Sequence, residues 1–188
     1  MSALPRFLKR PFEIGAIAPS SRRFACRVVE VAGVRNCDRV IELGAGNGVI
    51  TERIIDALPP GSRFLAIERC SDLSHRLARR IGRSLVVCDC ASRIESRARE
   101  HGIEGADCVV SALPWSNLAP ALRSSIVEGV RRTLSPGGMF VTICCYGLHW
   151  LPAGRHLRQL LENSFSGITR SPVEIANLPP AFVYVCRR

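Results

Sequence analysis

Short apolar runs alternate with stretches of helical periodicity along most of this chain. "DRVIELG" (38–44) is almost continuously apolar and ends in glycine, and Val49, Ile50, Ile54, Ile55 and Leu58 then share one helical face. That order predicts strand, tight turn, helix. "RFLAIER" and "SLVVCD" repeat the strand pattern. Each is followed by a helix: "SDLSHRLARRIG", capped by Ser71, and the polar "SRIESRAREHG", closed by Gly102. "DCVVSAL" is a fourth strand, Leu122, Ile126, Val127, Val130 and Leu134 mark one helical face, "SPGG" stops that helix, and "MFVTICCY" is a fifth strand. A further helix is expected near 156–162, then a hairpin at the sheet edge made of "ITRSPVEIAN" and "AFVYVCRR", where Pro172 is tolerated. Ahead of the first strand, "SSRRFACRVVEVA" predicts a helix capped by Ser20 or Ser21. Alternating strands and helices imply parallel crossovers. The expected fold is α/β, a doubly wound, mainly parallel seven-stranded sheet with an antiparallel C-terminal hairpin.

With 188 residues and 47% of them hydrophobic, the chain can bury one sizeable core, and no linker divides it. It reads as a single domain over 1–188: an N-terminal covering segment and helix over 1–34, a ligand-binding core over 38–145, and a substrate-side segment with the hairpin over 146–188. The longest apolar run, Met139 to Leu151, is shorter than the roughly 20 residues of a bilayer-spanning helix. Arg10, Pro11 and Glu13 interrupt what a secretory signal would need, so a cytoplasmic location is expected. The nine cysteines lie mostly in apolar runs and read as buried, reduced thiols; none has zinc spacing, and no metal site is expected. The formal charge of +10 comes almost wholly from arginine, since Lys9 is the single lysine. Planar guanidinium groups suit phosphates, so RNA, DNA and anionic membrane headgroups are the favoured partners, against a merely solvated arginine surface.

The sharpest chemical signal is "VIELGAGNGVIT". Gly44, Gly46 and Gly48 let backbone approach a ligand, but Val49 replaces the small residue a dinucleotide loop needs, no Walker lysine follows, and Glu42 would repel a pyrophosphate. A carboxylate beside such a loop suits a cationic ligand. S-adenosylmethionine, a sulfonium with an ammonium and no phosphate, fits. Glu68 at the end of the second strand can accept ribose hydroxyls, and Asp89 at the end of the third can accept the adenine amino group.

These residues resemble the class-I S-adenosylmethionine-dependent methyltransferases over about 38–145, through Glu42-Leu43-Gly44-Ala45-Gly46-Asn47-Gly48, Glu68 and Asp89. A narrower resemblance is to the small bacterial phospholipid N-methyltransferases, which make phosphatidylcholine from phosphatidylethanolamine. It rests on "GAIAPSSRRFA", "SALPWSN", Tyr146-Gly147 and "NLPPAFVYVCRR". It implies phosphatidylethanolamine or its partly methylated forms as acceptor, and a location peripheral to the inner face of the membrane. It also implies cofactor contacts from Pro19, Ser20, Ser21, Glu42, Gly44, Gly46, Glu68, Asp89, Cys90 and Ser111. The ribosomal RNA adenine dimethylases share the loop and acids, but grip adenine with an Asn at the position of Ser111, and add a helical RNA-binding domain. Other small-molecule methylation, or a non-catalytic protein that holds anionic surfaces or RNA, are further alternatives.

A primary alkyl amine, with a pKa of roughly 10, must lose its proton before it can attack a methyl group. The backbone carbonyls of Ser111 and Leu113 are candidates to orient it, and Tyr146 or His149 to pass the proton to water. Tyr146 reads equally as a core residue at a strand end, His149 as a surface-loop histidine, and Trp115 and Trp150 as packing or interface anchors. Leu4, Phe7 and Leu8 share a helical face beside Arg6, Lys9 and Arg10. That pattern is an interfacial segment or a lid packed on its own domain.

Overall fold

The computed structural model describes residues 20–188. The expectations for Leu4, Arg6, Phe7, Leu8, Lys9, Arg10 and Pro19 lie outside the described residues. A helix α1 (Arg22–Val31) precedes strand β1 (Arg39–Leu43), followed by α2 (Val49–Ala57), β2 (Arg63–Ile67), α3 (Ser71–Ile81), β3 (Val86–Val87) and α4 (Ile94–Glu100). Then come β4 (Ala106–Ser111), α5 (Pro120–Thr133), β5 (Leu134–Cys145), α6 (Pro152–Ser164), β6 (Gly167–Arg170) and β7 (Ala181–Arg187). The sheet runs β3-β2-β1-β4-β5-β7-β6. Strands β1 to β5 pair in parallel, whereas β7 pairs antiparallel with both β5 and β6.

The strands are buried on both faces because helices cover each one. Ile41, Leu43, Leu65, Val109 and Phe140 pack with α4, α5 and α6 through Ile94, Ile126, Val127, Leu157 and Leu161. Val40, Phe64, Ala66, Val110 and Val141 pack on the opposite side with Phe24, Val28, Ile50, Ile54 and Leu77 of α1 to α3. Glu42 alternates with Val40 and therefore points to this second face, towards α2. The strand order reverses between β2-β1 and β4-β5, and a crevice at the carboxyl ends of β1 and β4 is the topological place for a ligand.

Several local expectations change. The cap of α3 is Cys70, with no side-chain hydrogen bond, and Ser71 is already the first helical residue. At the other end of the chain, Ser21, not Ser20, caps α1: its hydroxyl accepts the Phe24 N–H at 3.1 Å. "SPGG" does more than stop α5, because Leu134 already pairs with Ala106 and the register shifts before Cys108 meets Met139. Gly137 takes φ 78 there, and a Cβ on Gly138 would sit 3.0 Å from the carbonyl oxygens of Ala106 and Ser135. The segment is a bulged start to β5 that calls for glycine at positions 137 and 138. The C-terminal pair is wider than a tight hairpin. Strand β7 inserts between β5 and the edge strand β6, and Pro172 lies past β6 in the connection 171–180. Ser171 continues the pairing, since its N–H donates to Val183 O and its hydroxyl accepts Val183 N–H.

The cysteines also divide differently from expectation. Cys37, Cys108, Cys144 and Cys186 are buried, but Cys26, Cys70 and Cys88 are exposed. Strand β3 stops at Val87, so Cys88 leaves the sheet before it can be covered.

Candidate active site

The loop after β1 is built on three left-handed glycines, Gly44 at φ 77, Gly46 at φ 57 and Gly48 at φ 83. Side chains rarely adopt that conformation, which is why glycine recurs at alternate positions. A Cβ on Gly44 would also lie 3.0 Å from the Leu113 side chain. The loop thus abuts the "SALPWSN" turn, and Ala112 N–H donates to Leu43 O at 2.9 Å. Two segments distant in sequence are brought together at the carboxyl ends of β1 and β4.

Glu68, at the end of β2, fastens the loop from the other side. One carboxylate oxygen accepts Gly46 N–H at 2.9 Å and the other accepts Cys70 N–H at 2.8 Å. Each oxygen has a second lone pair, so ribose hydroxyls can still be accepted. Glu42 is fully buried and accepts the Thr51 hydroxyl at 2.6 Å on Oε2, while Oε1 has no partner. Burial raises its pKa to about 7, opposed by the Thr51 hydrogen bond and supported by the charge of Glu68. An orphaned buried carboxylate oxygen beside a second acid is hostile to phosphate and receptive to a cation. The donor set fits S-adenosylmethionine.

Asp89 follows β3 and is already engaged. Burial works to raise its pKa, but hydrogen bonds from Arg97 and the Cys90 N–H, with the charges of Arg97 and Arg93, hold it below the usual range. Its Oδ1 accepts Cys90 N–H at 2.7 Å, and its Oδ2 accepts Arg97 Nε at 2.7 Å. The Cys90 thiol accepts the Ser92 hydroxyl at 3.2 Å.

On the acceptor side, Ser111 is fully buried and its hydroxyl accepts Leu113 N–H at 3.3 Å. The Leu113 carbonyl accepts Trp115 N–H at 2.9 Å, and the Ser111 carbonyl accepts a long hydrogen bond from Thr142 at 3.4 Å. Trp115 is a core residue, 5% exposed. Its indole N–H donates to the Thr142 hydroxyl at 2.7 Å, and its ring meets Phe140 edge-on. Thr142 had no signal in the sequence because it sits inside an apolar strand; only the tertiary fold sets it opposite Ser111.

Tyr146 leaves β5 with its N–H donated to Pro180 O at 2.7 Å and its side chain substantially exposed. His149 is buried against Tyr146, Trp150 and Phe182. Its Nδ1 accepts Gly147 N–H at 3.2 Å. Burial and the charge of Arg170 lower its pKa, against a hydrogen bond with the Cys145 carbonyl. Both effects favour the neutral ring, which is engaged with the backbone of Gly147 and Cys145. Ser21, besides capping α1, donates its N–H to Asn177 Oδ1 at 2.9 Å, and Ser20 beside it is half-buried. Asn177 is buried and donates to Pro179 O, so the start of α1 is tied to the "NLPP" segment. The sequence marked that segment, but not the asparagine as its clasp.

A doubly wound sheet with an antiparallel last pair, a glycine loop without phosphate chemistry and acids at the ends of β1 and β2 define a class-I S-adenosylmethionine-dependent methyltransferase. No family model matches the chain. The ornithine lipid N-methyltransferase of Singulisphaera acidiphila is 33% identical over 188 residues, covering 98% of this chain and 93% of the relative. This chain belongs to the same family, that of S-adenosylmethionine-dependent N-methyltransferases resembling lipid N-methyltransferases. The ribosomal RNA small subunit methyltransferase A of Synechococcus elongatus matches only 52% of this chain, at 30% identity, and 36% of its own length. Two solved structures share the fold. The N-methyltransferase NodS from Bradyrhizobium japonicum has a TM-score of 0.67 at 15% identity, over 95% of this chain and 97% of its own. The O-methyltransferase TomG from Streptomyces achromogenes, in complex with S-adenosylmethionine, has 0.64 at 20%, over 99% and 90%. No helix among the described residues is long and apolar enough to cross a membrane.

Proposed function

We propose that this protein N-methylates the headgroup amine of a membrane lipid, phosphatidylethanolamine or its partly methylated forms, at the membrane surface. The observation that carries this reading is the acceptor turn: Ser111 stands where an adenine-gripping asparagine would be, and Trp115 is withdrawn into the core. With neither an asparagine nor an aromatic face to offer, the turn has backbone carbonyls and apolar side chains, which suits an aliphatic amine better than a planar base. The near full-length likeness to a lipid N-methyltransferase supports the same choice.

S-adenosylmethionine supplies an electrophilic methyl group when bound. The chain's own work is then to fix the glycine loop through Glu68, to balance cationic charge with Glu42, and to hold the amine in line while water is excluded. The Ser111 and Leu113 carbonyls orient the amine. His149, committed to backbone on both sides, positions the loop beneath Tyr146, and the Tyr146 hydroxyl passes the amine proton to solvent. Ser20 and Ser21 cover the cofactor, and Asp89 and the Cys90 backbone meet its adenine.

The test is incubation with methyl-labelled S-adenosylmethionine and, separately, phosphatidylethanolamine vesicles, ornithine lipid vesicles and ribosomal RNA, followed by separation of products. Label in methylated phosphatidylethanolamine is expected; label confined to RNA overturns the reading. In the same assay Tyr146→Phe is expected to lower turnover by roughly tenfold to a hundredfold with cofactor affinity unchanged. Unaltered turnover removes Tyr146 from the mechanism.

A further inference from the structure

The large hydrophobic side chains that stand exposed among the described residues are Tyr146, Trp150, Leu151, Ile175 and Leu178. They come from two loops only, 146–151 after β5 and 175–178 before β7. Tyr146 N–H to Pro180 O holds the loops side by side at 2.7 Å. Both are well anchored: His149 is buried beneath one and Asn177 beneath the other. Ile175 at 78% exposed and Leu178 at 76% contribute almost nothing to the core, and Trp150, 60% exposed, covers His149 with one face only. Apolar surface concentrated in this way marks an interaction site.

We propose that Trp150, Leu151, Ile175 and Leu178 form a rim that docks on an anionic lipid bilayer, with the acceptor mouth at its edge. The proposal rests on the lipid-methylating reading above, and names the surface by which that site reaches its substrate. Charge selects the occupant. The segments 20–23, 146–156 and 170–180 carry four arginines, Arg22, Arg23, Arg155 and Arg170, against one carboxylate, Glu174. Glu174 is taken by Arg23, whose side chain is still 78% exposed, while Arg22, Arg155 and Arg170 are exposed. Arg170 lies over the Phe182 ring at 5.0 Å. Apolar tips within a cationic ring suit the boundary between acyl chains and anionic headgroups. A second copy of this chain, meeting face to face, would set the same arginines against each other. The sequence before Ser20 carries Arg6, Lys9 and Arg10 against Glu13 and so adds to the positive charge of the chain. Because Tyr146 opens the rim and follows the strand beside β4, a docked bilayer brings headgroup amines to the acceptor turn.

The experiment compares the full chain with Ile175→Ser/Leu178→Ser and Trp150→Ser/Leu151→Ser, all checked by circular dichroism. Vesicles are phosphatidylcholine alone or with phosphatidylglycerol, and binding is read by co-sedimentation. Binding of the wild type to the anionic vesicles is expected, with a loss of about tenfold or more in each double variant. Brominated acyl chains should quench wild-type tryptophan emission, and Trp150→Phe should abolish that quenching, since Trp115 is buried. Methyl transfer is read on the anionic vesicles with phosphatidylethanolamine added as acceptor and on dihexanoyl phosphatidylethanolamine dispersed as monomers: Ile175→Ser/Leu178→Ser, which leaves the packing of Trp150 on Tyr146 and His149 untouched, should lose the first and keep the second. If wild type methylates neither lipid, the functional reading fails, and vesicle binding still decides the rim. The rim proposal is overturned if the double variants bind as wild type does, if wild type ignores anionic vesicles, or if the substitutions only dissolve a dimer.

Discussion

Glu42 shows how much chemistry one buried side chain can hold. Its unfolded carboxyl titrates near 4.5 and its folded one near 7, so the folded state binds the proton more tightly. Its contribution to stability is therefore full below about pH 4.5, declines as pH rises towards 7, and is gone above. The size is about 3 kcal/mol for a shift of this order in a fully buried group. In the ligand-free protein, denaturant unfolding across pH 4 to 8 should show Glu42→Gln gaining on wild type by about that amount through this interval; parallel curves would remove Glu42 as the cause. A cationic ligand favours the ionised form, so wild-type affinity for S-adenosylmethionine should rise as pH passes 7 and the Gln variant should be flatter. Neither Glu42's orphan oxygen nor Trp115's inward turn was legible in the sequence. A strand's alternation says which face a residue occupies, not whether Thr51 or Thr142 will be there to meet it.

At the scale of elements, the helices followed their apolar faces closely, because each must bury one stripe against a sheet. The departures occur where backbone geometry outranks side-chain pattern. β3 is two residues long although its apolar run is longer, and "SPGG" became a bulge that keeps β5 paired from Leu134 onward. The cap of α1 was legible as one of two serines, and hydrogen bonding chose Ser21. Ser21→Ala should lower stability by about 1 kcal/mol, and Ser20→Ala should leave it nearly unchanged. Thermal unfolding monitored by circular dichroism separates the two; equal losses would show that the cap is not the source.

For the whole molecule, the distribution of thiols is a direct test of the fold. In native protein, Cys26, Cys70 and Cys88 should react promptly with a disulfide reagent, and Cys37, Cys108, Cys144 and Cys186 only on unfolding. Burial holds the Cys144 and Cys186 thiols up at about 12, far from the reactive thiolate. Fast reaction of seven groups would contradict the packing of both sheet faces. What the sequence by itself determined was the α/β class, the glycine loop, the acids at strand ends and a strongly cationic, arginine-rich charge, because periodicity, residue type and charge are local properties. What only the tertiary structure decided was the meeting of Gly44 with Leu113, the withdrawal of Trp115, the clasp of Ser21 by Asn177 and the joining of two apolar loops into one rim. Each joins positions far apart in the chain, where packing geometry selects one partner among many that the residue types would allow.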